Sequence, residues 1–174
     1  MERYNEVDGN LITMALNGDF NVIAHGCNCW CRMGAGLAPQ MVKAFGCNTF
    51  PLERAQYVGD INKLGQIDSK AFSLGNGEAY LADLYSEDKD LYVVNAYTQF
   101  HFGKYHEGGV DKPVDYDAIT LVMRKLNHKF RNQHIGLPYV IGCGLAGGDI
   151  NVVIPIIKRE LKDMIITMVK FDGK

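Results

Sequence analysis

Residues 21–38 read NVIAHGCNCWCRMGAGLA, in which an apolar strand-like run leads through a glycine-rich loop into a helix-like run. Residues 139–149 read YVIGCGLAGGD and repeat this order ahead of another helix-like run. Glycine lets the backbone approach a phosphate and adopt positive φ without a Cβ clash. The free N–H groups and the dipole at a helix N-terminus also favour an anion. Two such loops predict a ligand with two or more phosphates, although both segments could simply be tight strand-to-helix turns.

Short apolar runs rich in strand-forming residues predict the sheet. They are residues 22–25, 91–97, 139–141 and 165–171. Residues 66–74 and 79–85 predict a β-hairpin, with its turn at Gly75, Asn76 and Gly77.

Three further segments carry apolar residues at helical spacing. They are Leu37, Met41, Ala44 and Phe45, with Gly46 at the stop; Ile119, Val122, Met123, Leu126 and Phe130, with Asp115 or Asp117 as the cap; and Ile150, Val153, Ile154, Ile157, Leu161 and Met164. Pro155 is expected to bend the third helix slightly. Strands alternating with helices predict a three-layer α/β/α domain with a mixed, mostly parallel central sheet. Ligands of such sheets bind outside the carboxyl ends of the strands, where both glycine-rich loops fall.

The composition is that of an ordinary soluble protein, with 174 residues, 47% hydrophobic and 22% charged. We expect a single domain over residues 1–174, because no repeat or linker interrupts the chain. A net charge of -2 gives no reason to expect nucleic acid or an anionic membrane as a partner. No apolar run approaches the ~20 residues that span a bilayer, and the first residues lack the apolar core of a signal peptide. We also expect a cytoplasmic protein and a monomer.

The five cysteines are odd in number and show no spacing typical of a disulfide framework, so we expect reduced thiols. Cys27, Cys29 and Cys31 alternate along an extended segment and could converge on a metal. A zinc site usually needs paired cysteine or histidine knuckles, which the sequence lacks. The interpretation as small buried thiols is therefore favoured, and neither a metal nor a cofactor is expected.

Four short motifs together resemble the macrodomain family, whose members bind ADP-ribose. Residues 9–12 read GNLI, residues 25–28 read HGCN, residues 32–38 read RMGAGLA and residues 141–149 read IGCGLAGGD. The two glycine-rich motifs are similar to the branch that contains the ADP-ribose 1″-phosphate phosphatases and the terminal ADP-ribose protein glycohydrolase. The resemblance covers nearly the whole chain in element order and is specific in the two loops.

The resemblance implies a ligand site and a reaction. The implied ligand-binding residues are Asn10, Leu11, Asn28, Arg32, Met33, Gly34, Ala35, Gly36, Gly142, Cys143, Gly144, Leu145, Ala146, Gly147 and Phe171. His25 and Asp149 would form the acid/base or nucleophile pair that hydrolyses ADP-ribose 1″-phosphate to ADP-ribose and phosphate without a metal. The alternatives are a hydrolase that removes ADP-ribose from protein or nucleic acid, and a non-catalytic module that binds ADP-ribose.

Two departures from the family pattern bear on this function. Asn10 stands where macrodomains usually carry an aspartate that contacts adenine, so base recognition must be weaker or rearranged. The glycohydrolase relatives use a lysine after the central strand, and residues 93–99, VVNAYTQ, contain none. The His25 and Asp149 pair of the phosphatase branch is present.

Each candidate side chain also has a purely structural explanation. His25 could be a histidine at the edge of the core, and Asp149 could serve only as a helix cap. Asn28 could close an Asx-turn, Arg32 could be a solvated loop cation, and Phe171 could be a core aromatic. Three further residues are not expected to bind the ligand. Trp30 is expected to pack over the first loop, and His101 and His106 are expected to lie at the surface.

Overall fold

The computed structural model describes residues 2–53, 58–102 and 113–173, which form seven strands in one sheet. The strands are β1 (Tyr4–Gly9), β2 (Val22–Asn28), β3 (Ile67–Gly75), β4 (Glu78–Leu81), β5 (Leu91–Gln99), β6 (His134–Pro138) and β7 (Ile165–Phe171). They lie in the order β1-β7-β6-β2-β5-β3-β4. The neighbours from β1 to β5 pair in parallel, and β3 pairs antiparallel to both β5 and β4. The predicted mixed, mostly parallel sheet is confirmed.

Helices cover both faces of this sheet. They are α1 (Leu11–Leu16), α2 (Ala38–Phe45), α3 (Tyr116–Lys129) and α4 (Ile150–Glu160). Val22 and Ala24 of β2 pack with the apolar residues of α3 and α4, whereas Ile23 between them packs with those of α1 and α2. Because side chains alternate along a strand, β2 contributes to a core on each side of the sheet. The three layers predicted from the sequence are therefore present.

Most predicted elements occur where their patterns placed them. The strand at residues 165–171 is confirmed, and those starting at Val22 and Leu91 continue to Asn28 and Gln99. The hairpin turns through Asn76 and Gly77, with φ of 53° and 75°, as a tight two-residue turn requires. Gly46 ends α2 at φ 59°, and the Asp115 side chain accepts the N–H of Ala118 to cap α3.

The strand predicted at residues 139–141 is wrong. The strand lies just before it, at His134–Pro138, and the chain then turns, with the Ile141 N–H donating to the Pro138 carbonyl over 2.9 Å. Gly136 weakens the strand signal of this segment, but the structure needs it there. A Cβ on Gly136 would lie 2.7 Å from the Phe20 ring, which occupies the space against the strand.

The sequence patterns gave no signal for β1 and α1. Both are six residues long, and β1 is an edge strand whose side chains are half-buried or exposed, so neither shows a clear period. No helix in the described ranges combines the length and the apolar character that crossing a bilayer requires.

Candidate functional site

The parallel strands direct both glycine-rich segments to one edge of the sheet. The first loop (residues 29–37) follows the carboxyl end of β2 and leads into α2, and the second loop (residues 139–148) follows that of β6 and leads into α4. The β2 and β6 strands are neighbours in the sheet. Gly26 near the end of β2 lies close to the second loop, because a Cβ there would be 3.9 Å from the Ile141 side chain. The two loops therefore flank a common cleft.

Asn28 shapes the start of the first loop. Its side-chain oxygen accepts the N–H groups of Trp30 and Arg32 over 3.1 and 3.2 Å, and its amide donates to the Arg32 carbonyl over 2.8 Å. The side chain is buried, with 7% exposure. The Asx-turn interpretation of Asn28 thus describes its contacts in the protein, and a contact with a distal ribose stays a prediction.

The rest of the first loop presents a row of open donors. The backbone N–H groups from Met33 to Ala38 have no acceptor among the described residues, and Leu37 provides no side-chain cap for α2. Gly34, Ala35 and Gly36 are exposed. This run of N–H groups at the start of a helix is an arrangement suited to an anion. Arg32 is also exposed, with its guanidinium 5.8 Å from the Phe102 ring centre.

Glycines fix the shape of the second loop. Gly142 and Gly147 have φ of 71° and 72°, which side chains rarely adopt. The Gly148 N–H donates to the Gly142 carbonyl over 2.9 Å, and a Cβ on Gly148 would lie only 2.2 Å from that oxygen. The loop therefore closes on itself through a contact that only glycine allows.

The middle of the second loop is open to the cleft. The Cys143 and Gly144 N–H groups donate to the Val140 carbonyl over 2.8 and 3.2 Å. The N–H groups of Leu145 and Ala146 find no acceptor within the described ranges, and Gly144 and Leu145 are exposed. The second loop thus offers a smaller set of donors than the first.

A cavity of about 520 Å³ adjoins the two loops at the ends of β1, β7 and β6. Its lining includes Asn10, Leu11, Gly36 and Phe171, four of the residues that the sequence singled out. Phe171 is 67% exposed, so it is not a core aromatic. The remaining lining residues are Gly9, Leu37, Gln40, Pro138, Tyr139, Val140, Val169 and Lys170.

Tyr139 is the site residue that the sequence analysis missed. The Lys170 ammonium nitrogen lies 4.5 Å from the centre of the Tyr139 ring. The same nitrogen forms an ion pair with a carboxylate oxygen of Glu6 over 2.8 Å. The placement of Tyr139 inside a predicted strand hid this position, and its aromatic character next to a glycine-rich segment was the available signal. Beside Phe171, it makes the cavity suited to a flat aromatic group.

Asn10 caps α1 at the edge of this cavity. Its side-chain oxygen accepts the N–H groups of Ile12 and Thr13 over 3.0 and 3.1 Å. The amide oxygen therefore serves the helix first.

Asp149 lies at the far end of the second loop. Its carboxylate is exposed and accepts the Asn151 N–H over 2.9 Å, which caps α4. Its own N–H donates to the Tyr116 hydroxyl over 3.0 Å, which ties the end of the loop to α3. The cap role of Asp149 is present, and the exposed carboxylate leaves a role in the cleft open.

The structure places His25 in the core rather than on the cleft surface. The side chain is 1% exposed, and Nε2–H donates to the Asn95 side-chain oxygen over 2.7 Å. The Asn95 amide donates to the Cys47 carbonyl over 2.9 Å, which fixes the orientation of that amide. Burial lowers the pKa of His25 to about 4, so the ring is neutral near pH 7. His25 and Asp149 thus differ in exposure, and a role for either of them at a ligand stays a prediction.

The burial of His25 predicts an acid-sensitive fold. Its ordinary pKa of 6.5 applies in the unfolded chain, so the unfolded state binds a proton that the folded state refuses as the pH falls below that value. This group should remove about 3 kcal/mol from the free energy of unfolding between pH 7 and pH 4. Urea titrations at both pH values should show a smaller loss in His25→Gln than in the parent or in His128→Gln, which changes an exposed histidine. An equal loss in all three proteins would contradict the assignment.

The cysteines of the first loop are directed inward. Cys27, Cys29 and Cys47 are buried, Cys31 and Cys143 are half-buried, and all five are free thiols. The described residues contain no group of three or more cysteine, histidine or carboxylate side chains arranged to hold a metal ion.

Trp30 packs edge-on against Phe102, with ring centres 5.8 Å apart, and His101 is exposed. His106 lies outside the described residues.

No protein-family model matches the chain. An uncharacterized 17.5 kDa protein from the tk-vs intergenic region of Enterobacteria phage T4 is 28% identical over 171 residues, which cover 95% of each chain. The macrodomain of Thermus aquaticus DarG matches with a TM-score of 0.61 at 19% identity, over 98% of each chain. Thermosipho africanus DarTG in complex with ADP-ribose matches with a TM-score of 0.67 at 15% identity, over 99% of this chain and 42% of that one. These structures show that the chain has a macrodomain-like fold.

Proposed function

We propose that this protein binds ADP-ribose, with the adenine in the cavity and the diphosphate between the two loops. The observation that carries the proposal is the pair of glycine-rich loops, which present open N–H groups on the same edge of the sheet as an aromatic-lined cavity. The structurally similar DarTG binds ADP-ribose, which supports this choice among nucleotide ligands. Calorimetric titration with ADP-ribose, with AMP as the truncated ligand, tests it.

Backbone donors account for recognition of the diphosphate. The N–H groups of residues 33–38 approach it from one side, and those of Leu145 and Ala146 from the other. Such groups are already oriented, so binding costs little reorganisation, and the dipole of α2 adds to the attraction. Exposed Arg32 beside the first loop can supply a charge-assisted contact.

The asparagine at position 10 is expected to lower the affinity for adenine relative to an aspartate there. Asn10→Asp keeps the cap on α1 and replaces the amide nitrogen with a second oxygen that can accept from the adenine amine. ADP-ribose affinity should rise about tenfold, the scale of one hydrogen bond to a charged group. Asn17→Asp, which adds the same charge at the other end of α1, should leave the affinity unchanged. Equal affinities of Asn10→Asp and the parent would place the adenine amine away from residue 10.

We further propose hydrolysis of ADP-ribose 1″-phosphate, with Asp149 as the group that carries the proton or attacks phosphorus. An exposed carboxylate beside anion-binding amides is unfavourable for a site that only holds phosphate, because like charges repel. Such a position suits a group that takes part in proton transfer. Buried His25 supports the end of β2 in this mechanism and does not touch the substrate.

One observation favours non-catalytic binding instead. The burial of His25 leaves Asp149 without the partner that the phosphatase branch pairs with it. Removal of ADP-ribose through a lysine adduct has less support, since residues 93–99 contain no lysine. Phosphate release from ADP-ribose 1″-phosphate, measured beside release of ADP-ribose from modified protein, separates the three functions. Binding without either reaction would leave only the ADP-ribose site.

Binding and turnover should survive exhaustive chelation. The Cys31 thiol donates to the Leu52 carbonyl over 3.4 Å and the Cys47 thiol faces the Met33 sulfur at 3.8 Å, so these donors already have protein partners. The oriented N–H groups can supply the electrostatic stabilisation that a metal would otherwise provide. Phosphate release is measured after dialysis against EDTA. Loss of release that a divalent ion restores would contradict this prediction.

A further inference from the structure

We propose that Cys31 and Lys63 form an oxidation-dependent covalent link that locks the first loop. The Lys63 ammonium donates to the Cys31 sulfur over 3.0 Å. Lys63 is only 5% exposed, which is unusual for a lysine. Among the described residues, the Cys31 sulfur is the hydrogen-bond acceptor of its ammonium. A buried ammonium is therefore held against a half-buried thiol.

The lysine is fixed in this position by its own segment. Lys63 ends a short 3-10 helix (Ile61–Lys63), which the Asp60 side chain caps through the Asn62 N–H. The Asp60 N–H donates to the Cys29 carbonyl over 3.0 Å, so the segment is tied to the first loop two residues before Cys31. The contact between nitrogen and sulfur therefore joins two anchored pieces of backbone.

A carboxyl group beside this contact provides the proton acceptor. Glu53 is 4% exposed, and neither of its oxygens makes a hydrogen bond of ordinary geometry to any described residue. Burial raises the pKa of Glu53, and the nearby Tyr97 hydroxyl, the Cys31 thiol and the Lys63 charge oppose that rise. Burial also raises the pKa of the Cys31 thiol, against the effect of Lys63. A local acceptor such as Glu53 is therefore needed to form the reactive thiolate.

The reaction takes one equivalent of hydrogen peroxide. The Cys31 sulfur attacks peroxide, so that an S–O bond forms, the O–O bond breaks and water leaves with a sulfenic acid in place of the thiol. The Lys63 ammonium then gives a proton to the Glu53 carboxylate, and the resulting amine attacks the sulfur, forming an S–N bond as the S–O bond breaks. Glu53 passes that proton to the leaving oxygen, which departs as a second water, and then takes the proton that the new S–N nitrogen releases and returns it to solvent. Two equivalents of an external thiol reduce the S–N bond and return the free cysteine and lysine.

The link would alter the loop that carries the open donors. Cys31 has φ 54°, a strained value for a residue with a side chain, and it directly precedes Arg32 and the row of N–H groups. Drawing its sulfur from hydrogen-bond distance to covalent distance pulls this turn toward Lys63. We expect about tenfold weaker ADP-ribose binding in the linked protein. This consequence, unlike the link itself, rests on the proposed function.

Mass spectrometry of the full-length protein after treatment with hydrogen peroxide tests the link. We expect a tryptic species that joins the Cys31 and Lys63 peptides with the mass of both less two hydrogen atoms, and its disappearance after dithiothreitol. Cys143→Ser, which removes the other half-buried thiol, should retain the species, and Cys31→Ser and Lys63→Arg should lose it. The proposal would be overturned if Lys63 stays unmodified while Cys31 becomes a sulfinic or sulfonic acid or forms a disulfide with Cys29. The parent protein alone decides this, so the result does not depend on whether a variant folds.

Calorimetry on the same samples tests the effect on the loop. The reduced protein reports on the proposed function, and the linked protein reports on the lock. Affinity that falls about tenfold on oxidation and returns with dithiothreitol supports the lock. Unchanged affinity in fully linked protein overturns it. Failure of the reduced protein to bind would overturn the ADP-ribose site without affecting the mass result.

Discussion

Replacing Gly34 with valine is expected to weaken ADP-ribose binding by about 100-fold or more, while the fold survives. A Cβ at Gly34 meets no described atom within 4 Å, and its φ is not in the left-handed region, so the free protein accepts a side chain there. That empty space is where the proposed phosphate approaches the N–H row of the first loop. Gly144→Val should act in the same way from the second loop, since its Cβ would lie 3.9 Å from Val140. Calorimetry gives the affinities and thermal unfolding checks the fold.

Gly75→Val is the matched control for both substitutions. Gly75 lies at the end of β3, outside the cleft, and its Cβ would make an ordinary 3.8 Å contact with Tyr80. This variant should bind ADP-ribose as the parent does. Parent-like affinity in both Gly34→Val and Gly144→Val would show that neither loop holds the diphosphate.

Asp149→Asn is expected to lower phosphate release from ADP-ribose 1″-phosphate by about 100-fold or more, the usual scale for a lost proton carrier. Asparagine caps a helix about as well as aspartate, so the bond to the Asn151 N–H and the stability of the fold should be retained. Affinity for ADP-ribose, which lacks the terminal phosphate, should change little because backbone donors carry it. Steady-state phosphate release and calorimetry on one preparation provide both measurements.

The competing explanation predicts a different result for the same variant. If Asp149 only caps α4, Asp149→Asn keeps full activity, whereas Asp149→Ala loses about 1 kcal/mol of stability. Comparing the two substitutions therefore separates the cap from the chemistry. Full activity of Asp149→Asn would remove Asp149 from the mechanism and leave a protein that binds ADP-ribose.

The elements that the sequence predicted correctly are those whose signals are local. Gly46 and Asp115 mark helix ends through backbone conformation and capping, and Asn76 with Gly77 specifies a tight turn. The position of β6 could not be read in this way. Gly136 interrupts the apolar pattern of β6 because the Phe20 ring leaves no room for a side chain there. These two residues are far apart in the chain.

In the candidate site, too, only the features with local signals could be predicted from the sequence. The glycine-rich loops follow from residue types that few other conformations require, so both could be located from the sequence. The depth of His25 depends on what covers the end of β2, namely Asn95 from the neighbouring strand and the Cys47 carbonyl. No pattern around His25 contains this information. Cys31 and Lys63 likewise meet only because the fold brings together residues 32 positions apart.

A crystal structure of the protein with ADP-ribose would decide whether the two loops hold the diphosphate. We expect the adenine in the cavity between Tyr139 and Phe171, and the diphosphate within hydrogen-bond distance of the N–H groups of residues 33–38 and of Leu145 and Ala146. The distal ribose should lie toward the ends of β2 and β6, near Asp149. ADP-ribose bound elsewhere, or a diphosphate that contacts neither loop, would contradict the account.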